Sequence, residues 1–137
     1  YIGANPKMIL AIRTDKAEAE LYLLSGSETL DTYKWLAHRE LADTLLLKIR
    51  DFISNNSVGL MDLEGIIIFT GEGSFTGLRI GTSTANALAY GLGIAVAAGT
   101  GTDWIQEGLV NLQASKPGEY VIPRYNAEPN ITEPKQL

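Results

Sequence analysis

The stretch that decides the fold is Gly71-Glu72-Gly73-Ser74-Phe75-Thr76-Gly77-Leu78-Arg79-Ile80-Gly81. It follows an apolar run, Leu63 to Phe69, that predicts a buried strand, and it opens a segment of small and aliphatic residues that predicts a helix ending near Gly93. A glycine turn between a strand and a helix commonly presents backbone N–H groups to an anion. This turn contains no lysine, and its glycines follow neither the P-loop nor the dinucleotide spacing. The layout predicts a loop of the phosphate-binding type that lacks the lysine and the glycine spacing such loops usually have.

The composition narrows the class of protein. The 137 residues are 45% hydrophobic, which suits one domain with its own core. A formal net charge of −5 argues against direct binding of a nucleic acid backbone, which needs clustered Lys and Arg. Cysteine is absent, so disulfides and thiolate metal sites are excluded for this sequence. No apolar stretch reaches the roughly 18 residues of a membrane span. We expect a cytoplasmic chain with no membrane contact.

Apolar periodicity predicts elements in the order βββαβαβα. A meander of three strands followed by crossover helices gives a mixed five-stranded sheet. We therefore predict an α/β fold that resembles one ribonuclease-H-like half of the actin, Hsp70 and sugar-kinase (ASKHA) fold. Alternation in the second strand predicts one wetter face, carrying Glu18, Glu20 and Tyr22. The expected strands are 8–12, 18–23, 29–36, 63–69 and 94–98, and the expected helices are 38–54, the glycine turn to Gly93, and 102–112.

The second helix carries small residues at every fourth position: Gly77, Gly81, Ala85, Ala89 and Gly93. Such a row follows one ridge of a helix and leaves a groove in which a neighbour can approach closely. Two interpretations stay open, close approach to the sheet and close approach to a helix of a partner, and both can hold on different faces.

The glycine stretch resembles the Gly-Pro-Gly-Ser-Phe-Thr-Gly-Leu-Arg-Ile-Gly signature of the TsaB (YeaZ) family, with Glu72 in place of the proline. Met8 to Thr14 is similar to the family's opening strand, Glu40 to Ile49 to its first long helix, and Asp62 to Ile66 to the start of its fourth strand. The resemblance covers roughly residues 8–102.

The resemblance implies a non-catalytic subunit in the formation of threonylcarbamoyladenosine beside the tRNA anticodon. Members pair with TsaD, the transferase, through their first two helices, and the ATPase TsaE joins that complex; contact with tRNA would be indirect. We expect the contact residues to be Leu41, Thr44, Leu45, Lys48, Gly77, Arg79, Ile80, Gly81 and Thr84, and we expect Gly81→Leu to leave the domain folded while abolishing TsaD binding. Two alternatives stay open: an ATP-binding enzyme of the actin fold, and a homodimer that uses the same helices.

Three departures bear on nucleotide chemistry. Arg13 stands where the family has an aspartate, Asp15 lies two residues further along the strand, and Glu72 adds a negative charge to the turn. We therefore expect no catalytic residue, no metal and no cofactor, with ATP or ADP bound only at an interface shared with a partner. The vestigial nucleotide loop would comprise Gly71, Glu72, Gly73, Ser74, Phe75 and Thr76.

The remaining candidates have structural interpretations. His38, the single histidine, is expected to be a solvated residue at a helix start, and it cannot supply the histidine pair with which TsaD binds metal. Trp35 and Trp104 are expected to pack in or around the core. Arg79 either crosses an interface or holds its own loop.

The domain is expected at residues 8–116, between two flanking segments. Residues 1–7 precede Met8 and are expected to be an expression remnant or a disordered lead. Residues 117–137 contain Pro117, Pro123, Pro129 and Pro134 and are expected to form an extended tail in place of the family's second half. Within that tail, residues 121–125 are predicted to add an edge strand or to lie over the sheet.

Overall fold

A computed structural model describes residues 8–122, which form one five-stranded mixed sheet with helices on both faces. The strand order is β3-β2-β1-β4-β5; β1 pairs antiparallel with β2 and parallel with β4, β2 pairs antiparallel with β3, and β4 pairs parallel with β5. The elements are β1 (Met8–Arg13), β2 (Glu18–Ser25), β3 (Glu28–Leu36), α1 (Leu41–Asn55), β4 (Leu63–Phe69), α2 (Phe75–Leu92), β5 (Ala95–Gly99) and α3 (Trp104–Ala114). This confirms the predicted α/β class, element order and mixed sheet.

The predicted boundaries hold to within a few residues, and the largest shift is at the first helix. His38–Glu40 form a separate 3-10 turn, and α1 begins only at Leu41. The predicted second helix begins at Phe75, where Ser74 accepts a hydrogen bond from Gly77 N, and it ends at Gly93, whose φ of 70° is the left-handed conformation favoured by glycine. The Ser74 cap explains why the helix begins directly after the glycine turn, and Gly93 explains where it ends.

Two buried clusters hold the layers together. The larger lies between the sheet and the α1/α2 layer and contains Leu10, Ile12, Leu45, Ile49 and Ile68 among others. The smaller lies under α3 on the opposite face, where Trp104 contacts Tyr22 and Phe69 edge-to-face. Both tryptophans therefore pack as expected: Trp104 is buried, and the half-buried Trp35 stacks with Tyr33 beside α1.

The expected wetter face of β2 is confirmed for Glu18, which is exposed, and for Tyr22, which is half-buried, but it is wrong for Glu20. Glu20 is only 5% exposed, because the Tyr22 hydroxyl donates a hydrogen bond to it and Lys16 Nζ lies 3.7 Å from its Oε2. Burial, followed by the hydrogen bond to Glu20, raises the pKa of Tyr22 above its ordinary value of 10.0. Glu20 is therefore bound by neighbouring side chains, whereas Glu18 on the same face stays exposed.

The segment after α3 does not form an edge strand within the described residues. Residues 115–122 are irregular, and Val121 packs against the larger cluster and is bonded to Asn86 of α2. Residues 1–7 and 123–137, including the rest of the predicted tail, lie outside the described residues. Among the described residues, no helix has both the length and the apolarity needed to cross a membrane.

Candidate functional site

The glycine turn lies at the carboxyl ends of the parallel strands, where α/β proteins commonly bind ligands. The hydrogen-bonding groups of Ser74 are engaged within the domain. Ser74 N donates to Asp15 O at 2.8 Å, and Ser74 Oγ accepts from Gly77 N at 3.2 Å. The start of α2 is therefore bonded to its own cap and to the segment that follows β1.

The glycines of the turn provide room for that same segment. A Cβ at Gly73 would overlap Asp15, and one at Gly77 would overlap the carbonyl oxygen of Thr14. A Cβ at Gly81 would overlap Thr14 Oγ1, whose hydroxyl donates to Gly77 O at 2.7 Å. The glycines thus let α2 approach the end of β1 at backbone distance. Of the two open interpretations of this row, approach to the sheet describes Gly77 and Gly81.

Arg13 and Asp15 form an ion pair at this end of the sheet. Arg13 Nε lies 2.8 Å from Asp15 Oδ1, its second guanidinium nitrogen lies 3.1 Å from Oδ2, and the guanidinium stacks 3.9 Å over the Phe69 ring. The hydrogen bond to Asp15 raises the pKa of Arg13 against the opposing effect of burial. The Asp15 side chain is only 4% exposed, so the nearest carboxylate is already occupied by a cation. Among residues 8–122, no group of three or more His, Asp or Glu side chains is placed to hold a metal ion.

The other loop residues are exposed. Glu72, Phe75 and Thr76 face outward, and the guanidinium of Arg79 lies 5.5 Å above the Phe75 ring. The Arg79 guanidinium therefore lies over the start of its own helix. Its expected role at an interface stays a prediction. His38 is also exposed, as expected for a residue at a helix start, and with Lys16, Arg39 and Ser74 it lines a cavity of about 750 Å³.

An open groove separates the outer faces of α1 and α2. It has a volume of about 540 Å³, and we call it the α1/α2 groove; its lining residues are Ala42, Leu46, Ser83, Thr84, Ala87, Leu88, Gly91 and Leu92. Most of these side chains are small or aliphatic, and Leu46 is 53% exposed. A smaller depression lined by Thr76, Arg79 and Ile80 continues it toward the glycine turn through shared residues.

The predicted contact residues divide into two groups. Leu41, Leu45, Gly77 and Gly81 are buried within the domain, the two leucines in the larger cluster, so they support α1 and α2 from below and present no surface. This corrects their expected placement on a surface, and it corrects the expectation for Gly81→Leu, because a leucine there would collide with Thr14 and Ile68. The outward group comprises Thr44, Lys48, Arg79, Ile80 and Thr84.

Two members of the outward group form hydrogen bonds within the chain. Thr44 donates to Glu40 O at 2.8 Å, and Lys48 Nζ donates to Tyr33 OH at 3.2 Å. Thr84 and Ile80 line the open surface. Binding of a partner by this surface stays a prediction.

The sequence interpretation missed most of the residues that line the groove. A signal for them exists, because Ser83, Ala87 and Gly91 form a second row of small residues at four-residue spacing on α2. We call this the outer row, and Gly77, Gly81, Ala85 and Ala89 the inner row, which is buried. The two rows lie on different sides of the helix. Ser83 follows Gly77 by six residues, which is about 600° of rotation, or one full turn plus about 240°.

Another cavity lies away from the glycine turn. It has a volume of about 800 Å³ and lies between α3 and the amino ends of β1, β4 and β5, lined by Ile9, Leu63, Leu109 and Leu112 among others. Its position is opposite to the glycine turn along the strands, so it is separate from the site that the sequence indicates.

A mixed sheet in the order 3-2-1-4-5, with two helices on one face and one on the other, is a ribonuclease-H-like lobe of the ASKHA type. Two solved structures from Pseudomonas aeruginosa share it: YeaZ, and a protein described as similar to the peptidase YeaZ. Each matches with a TM-score of 0.63 and 29% identity over 69% of this chain, covering 44% and 43% of the respective structures.

Sequence comparison finds relatives over part of the chain. The TsaB proteins of tRNA threonylcarbamoyladenosine biosynthesis from Escherichia coli and Haemophilus influenzae are 35% and 31% identical over 83 residues, 61% of this chain. A family model described as TsaD, tRNA N6-adenosine threonylcarbamoyltransferase, matches residues 35–99. Over the matched segment the chain is similar to proteins of the TsaB (YeaZ) family. It spans only 36% and 35% of the length of those two curated relatives.

The TsaD model matches from the end of β3 to the end of β5, a part of the chain that includes the glycine turn. We give more weight to the TsaB relatives, because their match is supported by the long glycine signature. His38 is also the single histidine of the sequence, which leaves no histidine pair of the kind that the resemblance attributes to TsaD.

Proposed function

We propose that this chain is a TsaB-like lobe that acts as a non-catalytic subunit in tRNA threonylcarbamoyladenosine biosynthesis and binds TsaD through the α1/α2 groove. The relatives' names support the pathway. The observation that supports binding of TsaD through α1 and α2 is the groove itself, an open, mainly apolar channel between the two helices. TsaE and tRNA would then meet the chain only through TsaD, in the cytoplasm.

The shape of the groove suits a helix. Small residues at four-residue spacing form a channel along α2, and the ridge of a partner's helix packs into such a channel at an axial distance of about 8–10 Å. Leu46 and Leu88 form walls that a partner would bury, at about 25 cal/mol per Å² of apolar area removed from water. Ala42 on α1 faces the outer row and leaves the channel open toward the solvent.

The chemistry of the loop supports an accessory role. Asp15 is paired with Arg13, Ser74 caps α2, and a Cβ at Gly73 already has no room beside Asp15. Glu72 adds a further negative charge where a phosphate would lie. ATP or ADP would therefore bind only where a partner supplies cationic groups at a shared interface.

The test is to place a charge in the groove without touching the core. Ala87→Arg lies in the outer row and is exposed, so the variant is expected to fold while burying an unpaired guanidinium in any helix-packed interface. We expect binding to TsaD of the same organism, measured by titration calorimetry, to weaken at least tenfold. Ala114→Arg is the matched control, because Ala114 is an exposed alanine at the end of α3, away from the groove.

Three outcomes distinguish the alternatives. Unchanged TsaD binding by Ala87→Arg, with an unchanged far-UV spectrum, would contradict the groove as the interface. Sedimentation of the chain alone at several concentrations reveals self-association, and its loss in Ala87→Arg without any TsaD binding by the wild type would favour a homodimer. Tight binding of Mg-ATP by the isolated chain would revive the enzyme alternative.

A further inference from the structure

Asn86 makes two hydrogen bonds to the backbone of a single residue 35 positions away. Its Nδ2 donates to Val121 O at 3.0 Å, and its Oδ1 accepts from Val121 N at 3.0 Å. One side-chain amide thus satisfies both backbone groups of Val121, in the way that a neighbouring strand satisfies a strand residue.

The segment around Val121 has the alternating exposure of an extended chain. Val121 is half-buried against the larger cluster, whereas Tyr120 is 70% exposed and Ile122 is 83% exposed. Upstream, a turn connects the segment to α3: Glu119 N donates to Lys116 O at 3.1 Å, and Lys116 N donates to Glu119 Oε1 at 3.0 Å. The chain therefore leaves the α3 face and is fastened on the α2 face.

Asn86 lies on the flank of α2 that faces away from α1. It follows Thr84, which lines the α1/α2 groove, by two residues, and two residues rotate the helix by about 200°. The contact with Val121 is consequently separate from the groove and from the glycine turn.

We propose that Asn86 and Val121 form a latch, which holds residues 115–122 against α2 and opens while the sheet stays folded. The latch consists of two hydrogen bonds and one half-buried side chain, whereas β1 and β4 are buried along most of their length between the two clusters. Segments with few buried contacts open at a lower free energy than the whole domain. Opening releases the segment that follows α3 and exposes the α2 flank beneath Val121.

Amide hydrogen exchange of the full chain by NMR tests the latch. In the wild type we expect the Val121 amide to be protected, but to exchange faster than the amides of Leu10 and Ile67 in the central strands. Asn86→Ala removes both hydrogen bonds, so it should accelerate exchange at Val121 on the order of tenfold. Exchange at Leu10 and Ile67 should change far less. Asn55→Ala, at the exposed end of α1, is the matched control and should leave Val121 unchanged.

A second variant and a second readout make the test independent of one substitution. Val121→Gly keeps the hydrogen-bonding backbone but removes the buried side chain. Both variants should speed cleavage by Glu-C protease between Glu119 and Tyr120, followed by mass spectrometry. Unchanged exchange and cleavage would overturn the latch. Equal acceleration at Val121, Leu10 and Ile67 would also overturn it, because Asn86 would then support the whole domain. Failure of both variants to fold would also overturn the latch, because the contact would then support the whole domain.

Discussion

Because α2 approaches β1 closely, we expect alanine substitutions at two glycines of α2 to have opposite effects on the free energy of unfolding. Gly81→Ala places a methyl group against Thr14 Oγ1, with Thr14 Cβ at 3.2 Å and Ile68 Cδ1 at 3.3 Å. Gly91→Ala is the matched control, since a Cβ there meets nothing within 4 Å. Both changes bring the same gain in helix propensity, up to about 1 kcal/mol each. The difference between them therefore measures the contact with β1.

The magnitude follows from three contributions. Overpacking of a tight contact costs about 1–3 kcal/mol. Displacing Thr14 also breaks its buried hydrogen bond to Gly77 O, worth about 1 kcal/mol. After subtracting the propensity gain of about 1 kcal/mol, we expect Gly81→Ala to lower the free energy of unfolding by about 2 kcal/mol. Gly91→Ala should leave the free energy of unfolding unchanged or raise it by up to about 1 kcal/mol.

Urea unfolding followed by far-UV circular dichroism measures both variants. For an m-value of about 2 kcal/mol/M, Gly81→Ala should lower the midpoint by about 1 M. Thr14→Ala supplies the decisive control, because it removes the oxygen that the new methyl group meets. In the double-mutant cycle, Gly81→Ala should cost clearly less when Thr14 is already alanine. Equal midpoint shifts for Gly81→Ala and Gly91→Ala, or a cycle with no coupling, would refute the packing role of Gly81.

Two further predictions concern the polar groups at the end of β1. Asp15→Asn removes the charge partner of Arg13 and should lower the free energy of unfolding by about 1–3 kcal/mol, whereas Asp51→Asn in the exposed pair with Arg50 should change it by less than about 0.5 kcal/mol in the same urea assay. Because the folded domain raises the pKa of Tyr22, its contribution to stability is complete below the unfolded pKa of about 10 and is lost as the pH rises beyond it. Wild-type stability should therefore fall more steeply between pH 9 and about 11.5 than that of Tyr22→Phe, and parallel profiles would contradict this assignment.

Much of the fold could be predicted because its signals are local. The run Leu63–Phe69 is apolar apart from Glu64 and is bounded by turn residues, so its predicted limits coincide with β4. The meander is likewise specified by short turns between strands rich in apolar and β-branched residues. Glu20 shows where this reasoning fails, since its burial depends on Tyr22 and Lys16 rather than on the alternation of β2.

The site was harder to predict because its contacts join distant parts of the chain. Thr14 and Gly77 are 63 residues apart, and spacing alone does not reveal that one accommodates the other. Helix α2 also carries small residues on two of its sides. Its periodicity therefore identifies both rows but does not indicate which of them faces the sheet. The bond between Asn86 and Val121 leaves no pattern in the sequence at all, because one side chain binds a backbone.

The two rows of small residues explain why the loop and the groove must be tested separately. The inner row brings α2 onto β1, and that approach places Gly73 and Ser74 directly against Asp15. A substitution in the glycine turn therefore disturbs the packing of α2 first, and any loss of partner binding would follow from the altered fold. The outer row makes no such contact, so Ala87→Arg changes the surface while the inner row stays in place. Loss of TsaD binding in that variant, at unchanged stability, would assign the interaction to the groove and leave the glycine turn a packing role.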